Sequence, residues 1–383
     1  MKNPKAIFAL LILSLTTTIG LSLPAYSQSS FLEKFLNPDY IGLYFAILNI
    51  FAVVSMFLYP SVIRKIGNFK TTLLILPLAV LCLLMTGLVK NPATVLIFFL
   101  CQYLALNLLY INIDLASETV VDQEHIGRLR SSMLTAINIS WLVSPILMSM
   151  IATKISYQSV YLFAGAFLLL SIPFLKKRFL HGATTFSHRH FRTTLAIFKK
   201  RSDLWEISSL AVLLQIFYCL LTLFLPLRLH EELGFSWPQI GILFTIMLLP
   251  FVIFDIPVGK LADKKWGEKE MLIASLIIMI ASCWLISFYN GTSFIWWAII
   301  LFLSRVGASI FETMSETYFF KKIHAQDVDL LNFFRALRPF GWLIGSLFAF
   351  IFLKFFGLNQ LFYGLAIILF FGLLPAIIIK DTK

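Results

Sequence analysis

Charge is what this sequence lacks. Only 13% of its 383 residues are Asp, Glu, Lys or Arg, against about 25% in a soluble domain. Cysteine is scarce too: Cys82, Cys101, Cys219 and Cys283 all sit in apolar runs without metal-ligand spacing. They read as small apolar side chains of the core or lipid face. No catalytic triad, zinc motif or cofactor box is present, so neither an enzyme nor a cofactor is expected. What fills the chain instead is apolar. Hydrophobic residues make up 59%, Phe alone occurs 39 times, and the mean hydropathy is +0.88. A soluble core of this size cannot hide so much apolar surface. The sequence is that of an integral membrane protein.

A helix crosses the hydrocarbon with about 20 apolar residues. Such runs lie near 5–27, 40–62, 71–89, 93–116, 131–153 and 158–175. A second set lies near 206–228, 238–258, 271–289, 294–316, 332–355 and 358–379. The layout divides the chain into an N-terminal half (1–175), a basic linker (176–205) and a C-terminal half (206–383). Lys2, Lys5, an apolar run and Ala25-Tyr26-Ser27 also resemble a secretory leader. The first run is nevertheless expected to be a membrane helix, because the repeat described below gives it a counterpart.

The net charge of +12 invites a nucleic-acid partner, but its distribution argues otherwise. With both termini cytoplasmic, 23 Lys and Arg fall inside, 5 outside (Lys34, Lys90, Lys154, Arg228, Lys354) and 3 in spans. Basic loops collect on the cytoplasmic side of a membrane. The expected product is a multi-pass protein of the plasma membrane with both termini inside. It would contact lipids but no nucleic acid, and act as a monomer.

The halves repeat at an offset of about 200 residues. Leu23-Pro24 matches Leu225-Pro226, Ile41-Gly42 matches Ile240-Gly241, and Pro60 matches Pro257. Ser117-Glu118-Thr119 matches Ser315-Glu316-Thr317, and Trp141-Leu142-Val143 matches Trp342-Leu343-Ile344. Six spans return the chain to its starting side, so the copies are parallel. Parallel six-span halves are a transporter plan with a substrate site expected between them near the midplane. No Gly-Lys-Ser/Thr phosphate loop occurs, which argues against ATP-driven pumping.

One loop is more specific. Gly259-Lys260-Leu261-Ala262-Asp263-Lys264-Lys265-Trp266-Gly267-Glu268-Lys269 resembles the G-x-L-a-D-r-x-G-r-k loop of the major facilitator superfamily. The match covers Gly259, Leu261, Ala262, Asp263, Lys264, Gly267 and Lys269, with one extra residue between Asp263 and Gly267. The first-half copy is degenerate: Ser61 replaces the first Gly and the Asp is missing. The resemblance implies an all-α fold of twelve transmembrane helices in two pseudo-symmetric six-helix bundles. It also implies a symporter or antiporter for a small solute, most commonly proton-coupled, in which Asp263 helps fasten the cytoplasmic side. A carboxylate favours a helix N-terminus whatever the family. Gly259 is expected to permit close helix approach, and Gly267 a turn that a side chain would hinder. The plainer reading is a solvated basic loop that only sets topology.

Polar residues form a stripe on two equivalent spans. Arg305, Glu312 and Glu316 recur at i, i+7 and i+11, and Asn107, Asp114 and Glu118 repeat that spacing 198 residues earlier. At 3.6 residues per turn each set shares one face. Arg128, Arg130, Arg335 and Arg338 begin the following spans. These acids and bases are expected to form a cytoplasmic gate, with static pairing as the alternative; Asp114 or Glu312 is placed to take a proton. A charge inside hydrocarbon costs about 2.5–3.5 kcal/mol on insertion scales, so it faces the protein interior or a cavity. Arg305, near midspan, is the foremost substrate-path candidate, to bind an anionic substrate or hold a carboxylate; the structural alternative pairs it with Glu312. Further cavity candidates are Gln102, Tyr103, Asn107, Asn138, Trp141, Gln215, Tyr218 and Trp342. His181, His188 and His190 of the linker lack acidic or Cys partners, so no metal is expected. Residues 191–198 read as an amphipathic surface helix. Asn290-Gly291-Thr292 fits an outer glycosylation sequon but reads as a turn. The rival functions are a non-transporting receptor or assembly subunit, or a lipid-handling protein, on a transporter scaffold.

Overall fold

The computed structural model describes residues 4–120, 123–175, 191–254, 257, 267–323 and 328–380, without the side chains of 4, 118–120, 123–128, 130–131, 191–195, 328–329 and 331–332. Among the described residues no strand occurs. Inside a bilayer each backbone N–H and C=O needs a partner within the segment, which a helix supplies. The helices are α1 (Pro4–Ala25), α2 (Gln28–Leu32), α3 (Ile41–Ile66), α4 (Asn68–Leu88), α5 (Pro92–Val120), α6 (Gln123–Lys154) and α7 (Tyr157–Leu169). They continue with α8 (Phe191–Lys200), α9 (Ser202–Leu227), α10 (Trp237–Ile253), α11 (Glu268–Phe288), α12 (Phe294–Lys322), α13 (Val328–Phe352), α14 (Leu358–Phe371) and α15 (Leu373–Ile378). Eleven described helices are long and apolar enough to span a membrane, and α10 is a shorter apolar helix. It stands where the eighth of the twelve spans is expected. The first run is helical from Pro4.

The chain gathers into two compact units. One comprises Met1–Pro38, Phe51–Thr185 and Ile240–Ile242, the other Asp39–Ile50, Phe186–Gln239 and Leu243–Lys383. In the first unit α1 packs on α6 and α7, and α4 on α5 and α7. Hydroxyls join α1 to α6: Ser22 and Ser144 share a hydrogen bond at 2.6 Å, and Ser140 donates to the Leu15 carbonyl. Tyr59 donates to Asn112 Oδ1 at 2.7 Å, and Asn68 Nδ2 to the Asn112 carbonyl at 3.0 Å. Buried polar groups need such partners in hydrocarbon, because no water competes for them.

In the second unit α9 packs on α13 and α12, and α11 on α12 and α14. The amphipathic helix expected at 191–198 is present as α8. Its Phe198 is fully buried, with ring centroids 4.4 Å from Phe333 and 6.5 Å from Phe319. Pro226, which has no N–H to give the ladder, precedes a π-helical turn at Arg228–Glu232. Arg228, counted among the outer charges, is fully buried within the protein. Its Nη2 donates to the Ser287 and Tyr289 carbonyls and to Asn290 Oδ1, and Nη1 lies 3.5 Å from Glu232. The Asn290-Gly291 segment is a packed turn that ties α9 to the end of α11.

The repeated Ile-Gly pair marks close backbone approach. A Cβ on Gly42 would lie 2.9 Å from both Phe350 N and Ser346 O, within the second unit. A Cβ on Gly241 would meet the Pro145 carbonyl at 2.8 Å and the Ser149 hydroxyl, within the first. Glycine is the residue that fits such a crossing.

Candidate functional site

The helix α12 carries the stripe expected from spacing. Arg305 is 2% exposed. Its guanidinium carbon sits 5.3 Å from the Phe217 ring centroid and 5.1 Å from that of Tyr218, both on α9. Its Nε has no hydrogen-bond partner, and no carboxylate pairs with it among the described residues. The expected alternative of an Arg305–Glu312 pair is therefore not what the structure holds. Seven residues of helix separate the two by about 10 Å of axial rise. Cation–π contacts contribute about 0.5–2 kcal/mol. Two such contacts together are comparable with the cost of a midspan charge, about 2.5–3.5 kcal/mol on insertion scales, but they leave the guanidinium N–H groups without acceptors among the described residues.

Glu312 is held by others. Tyr218 donates its hydroxyl hydrogen to Glu312 Oε2 at 2.8 Å, and Arg338 Nη2 lies 4.0 Å from Oε1. The same Arg338 nitrogen donates to Glu316 Oε1 at 3.1 Å. Tyr218 thus bridges the buried cation to an acid–base cluster toward the end of α12. Arg338, not Arg335, is the partner Glu316 takes; Arg335 is half-buried about a turn earlier on α13. Glu316 and Arg338 are both roughly half exposed, so solvent screens their pairing and it adds under about 1 kcal/mol to stability.

The other cavity candidates are dispersed over the two units. Gln215 and Trp342 stand where α9 meets α13: a Cβ on Gly341 would lie 2.5 Å from Gln215 Cβ, and the Trp342 carbonyl accepts from Ser346. In the first unit Gln102 is buried and its Oε1 has no partner. Asn107 Nδ2 donates to the Tyr103 carbonyl of its own helix. The Trp141 ring packs edge-on against Tyr26 at 6.3 Å, and Asn138 and Asp114 are half-buried. Gly259, Asp263 and Lys264 lie outside the described residues, as do His181, His188 and His190 and the side chains of Glu118, Arg128 and Arg130.

Gly267 does not meet its expected reason. Its φ of −70° and ψ of 164° suit any residue. Of the two equivalent glycines it is Gly67, in the degenerate first copy, that has positive φ, +90°. What the loop contributes instead is its neighbour Glu268, fully buried in the first turn of α11 and 2.6 Å from Lys321 Nζ at the end of α12. A second tie joins α9 to α12. Arg201 Nη2 donates to Asp203 at 2.9 Å and to the Lys322 carbonyl, and Lys322 Nζ lies 4.0 Å from Asp203. Sequence reasoning missed Asp203, Glu268 and Lys321 as partners. Glu268 beside the motif glycine was the available signal.

A groove of about 630 Å³ lined by Ile277, Trp284, Phe370 and their neighbours holds none of the expected residues and no ionisable side chain. Among the described residues no cluster of His, Cys, Asp and Glu fit for a metal occurs.

Comparison with known proteins agrees with this architecture. The sequence profile described as "Major Facilitator Superfamily" matches residues 6–237 and 207–383. The crystal structure of a mutant of the nucleoside transporter NupG superposes with a TM-score of 0.79 at 15% identity, over 97% of this chain and 99% of that one. No curated protein matches by sequence.

Proposed function

The chain belongs to the major facilitator superfamily and is a secondary transporter rather than an enzyme; from that premise we propose that it moves a small solute by alternating access, with Arg305 on the solute's path. The observation that carries this reading is the guanidinium at midspan, buried and without an acid partner among the described residues. A transporter keeps a charge in the hydrocarbon region where it meets cargo or a coupling ion. The same reading makes Glu312, Glu316 and Arg338 a cytoplasmic gate whose contacts part and re-form in the cycle. Glu312 carries the coupling proton, and both termini face the cytoplasm of the plasma membrane. The charge asymmetry of the loops supports that orientation.

The test is solute flux in liposomes holding the purified full-length protein, with and without an imposed proton gradient. We expect saturable uptake of one solute class, lost in Arg305→Gln. A protein that binds solute yet passes none under any gradient is a receptor, and the proposal fails. Nucleosides belong in the panel because the structurally similar protein is described as a nucleoside transporter. A neutral nucleoside, however, leaves Arg305 without a counter-charge.

A further inference from the structure

We infer that Arg305 anchors a binding site for the carboxylate of an organic acid with a flat, apolar body. The inference rests on the proposal that Arg305 lies on the solute path, and it names the class of solute.

Two fully buried arginines among the described residues of the second unit make the contrast. Arg228 is surrounded by acceptors, namely the Ser287 and Tyr289 carbonyls, Asn290 Oδ1 and the Glu232 carboxylate. That is the environment of a structural arginine. Arg305 is equally enclosed at 2% exposure but has no such acceptor among the described residues; an unsatisfied Nε is common to both arginines, so the contrast lies in the acceptors and the carboxylate that Arg228 has and Arg305 lacks. The nearest acid along its helix, Glu312, is engaged by Tyr218 and Arg338. A buried donor fork that the protein itself leaves open is complementary to an oxyanion arriving from outside. The guanidinium presents parallel N–H groups that match a carboxylate or phosphate in bidentate fashion.

Two further features choose between those oxyanions and describe the rest of the solute. One guanidinium balances one negative charge, and the basic group of the neighbouring cluster, Arg338, is taken up by Glu312 and Glu316. A monoanionic carboxylate is neutralised there, whereas a phosphate dianion keeps an uncompensated charge away from water. Two ring faces cover the cation, Phe217 at 5.3 Å and Tyr218 at 5.1 Å, and Phe251 packs edge-on against the Tyr218 ring at 6.2 Å. The Tyr218 hydroxyl is committed to Glu312, so its ring offers a face and not a donor. Aromatic faces select flat apolar bodies. Because Arg305 is enclosed here, the acid reaches it in a conformer more open than this one.

The test is equilibrium binding to the full-length protein in detergent, read by thermal shift and tryptophan fluorescence. The probes are acetate, benzoate and indole-3-acetate, their amides, inorganic phosphate and phenyl phosphate. The expected result is that an aromatic acid binds at least 10-fold more tightly than its amide and than either phosphate. Arg305→Gln lowers that affinity at least 10-fold, and Arg305→Lys retains part of it. Arg305→Met gives an independent reading: it removes an unpaired buried charge, so its melting temperature is expected to match or exceed the wild type's. Three results overturn the inference: no acid binds the wild type better than its amide, phenyl phosphate alone binds, or Arg305→Gln keeps full affinity. A collapse of Arg305→Met also overturns it, by marking Arg305 as structural. These readouts need no flux. Acid binding without transport removes the transporter proposal and keeps the site. Flux of a neutral solute that survives Arg305→Gln keeps transport and removes the site.

Discussion

Tyr218 gives its hydroxyl hydrogen to Glu312 across 2.8 Å. Its ring meanwhile covers the Arg305 guanidinium at 5.1 Å. A single side chain of α9 therefore touches two charged groups of α12, Glu312 through its edge and Arg305 through its face. The two contacts are chemically separable.

Tyr218→Phe keeps the ring and deletes the donor. A hydrogen bond to a charged group contributes about 1.5–3 kcal/mol, and Arg338 still supports the acid. We expect a modest loss of melting temperature, a several-fold fall in flux and little change in acid binding. Tyr218→Ala is expected to lose binding as well. Thermal melts with parallel flux assays separate the two variants.

Reversal at Glu316 or Arg338 tests the gate. Their exposure leaves little stability at stake, so Glu316→Arg and Arg338→Glu are expected to melt near wild type. Each is expected to lower flux at least 5-fold, and the double reversal to recover most of it. A double variant as inactive as the singles would remove the pair from the gate.

Glu268 and Lys321 behave differently, because the acid is fully buried. Removing one partner of a buried pair costs about 3–5 kcal/mol, while replacing both is far milder. Lys321 is partly exposed, which places Lys321→Met toward the low end. We expect Lys321→Met to lower the melting temperature more than Glu268→Gln combined with Lys321→Met does.

Gly42→Ala and Gly241→Ala each place a methyl group inside contact distance of backbone atoms. Overpacking of this kind costs about 1–3 kcal/mol. Gly357→Ala is the control, since only the movable Asn359 side chain lies nearby. Melting curves are expected to fall for the first two and to hold for the third.

The helical architecture was readable because hydrocarbon constrains a sequence strongly: spans, repeat and charge asymmetry all follow from length and polarity. The stripe of Arg305, Glu312 and Glu316 was equally readable, since helical spacing places residues on a face. Their partners were not, because spacing within α12 carries no information about which side chain α9 or α13 presents. Hence Tyr218 stood only among cavity candidates, and Arg335 and Arg338 were not distinguished. Arg228 looked like a loop charge because its acceptors, three of them backbone or Asn groups in a turn about 60 residues on, leave no mark in charge counting. Gly67 and Gly267 show the same limit, since φ is set by the path of the chain and not by the letter.

The most direct measurement is counterflow in liposomes preloaded with an aromatic acid, comparing wild type with Arg305→Gln reconstituted in equal amounts. The account predicts transient accumulation of labelled acid by the wild type and none above leak for the variant. Equal accumulation by both, or none by a wild type that binds the acid, would contradict it.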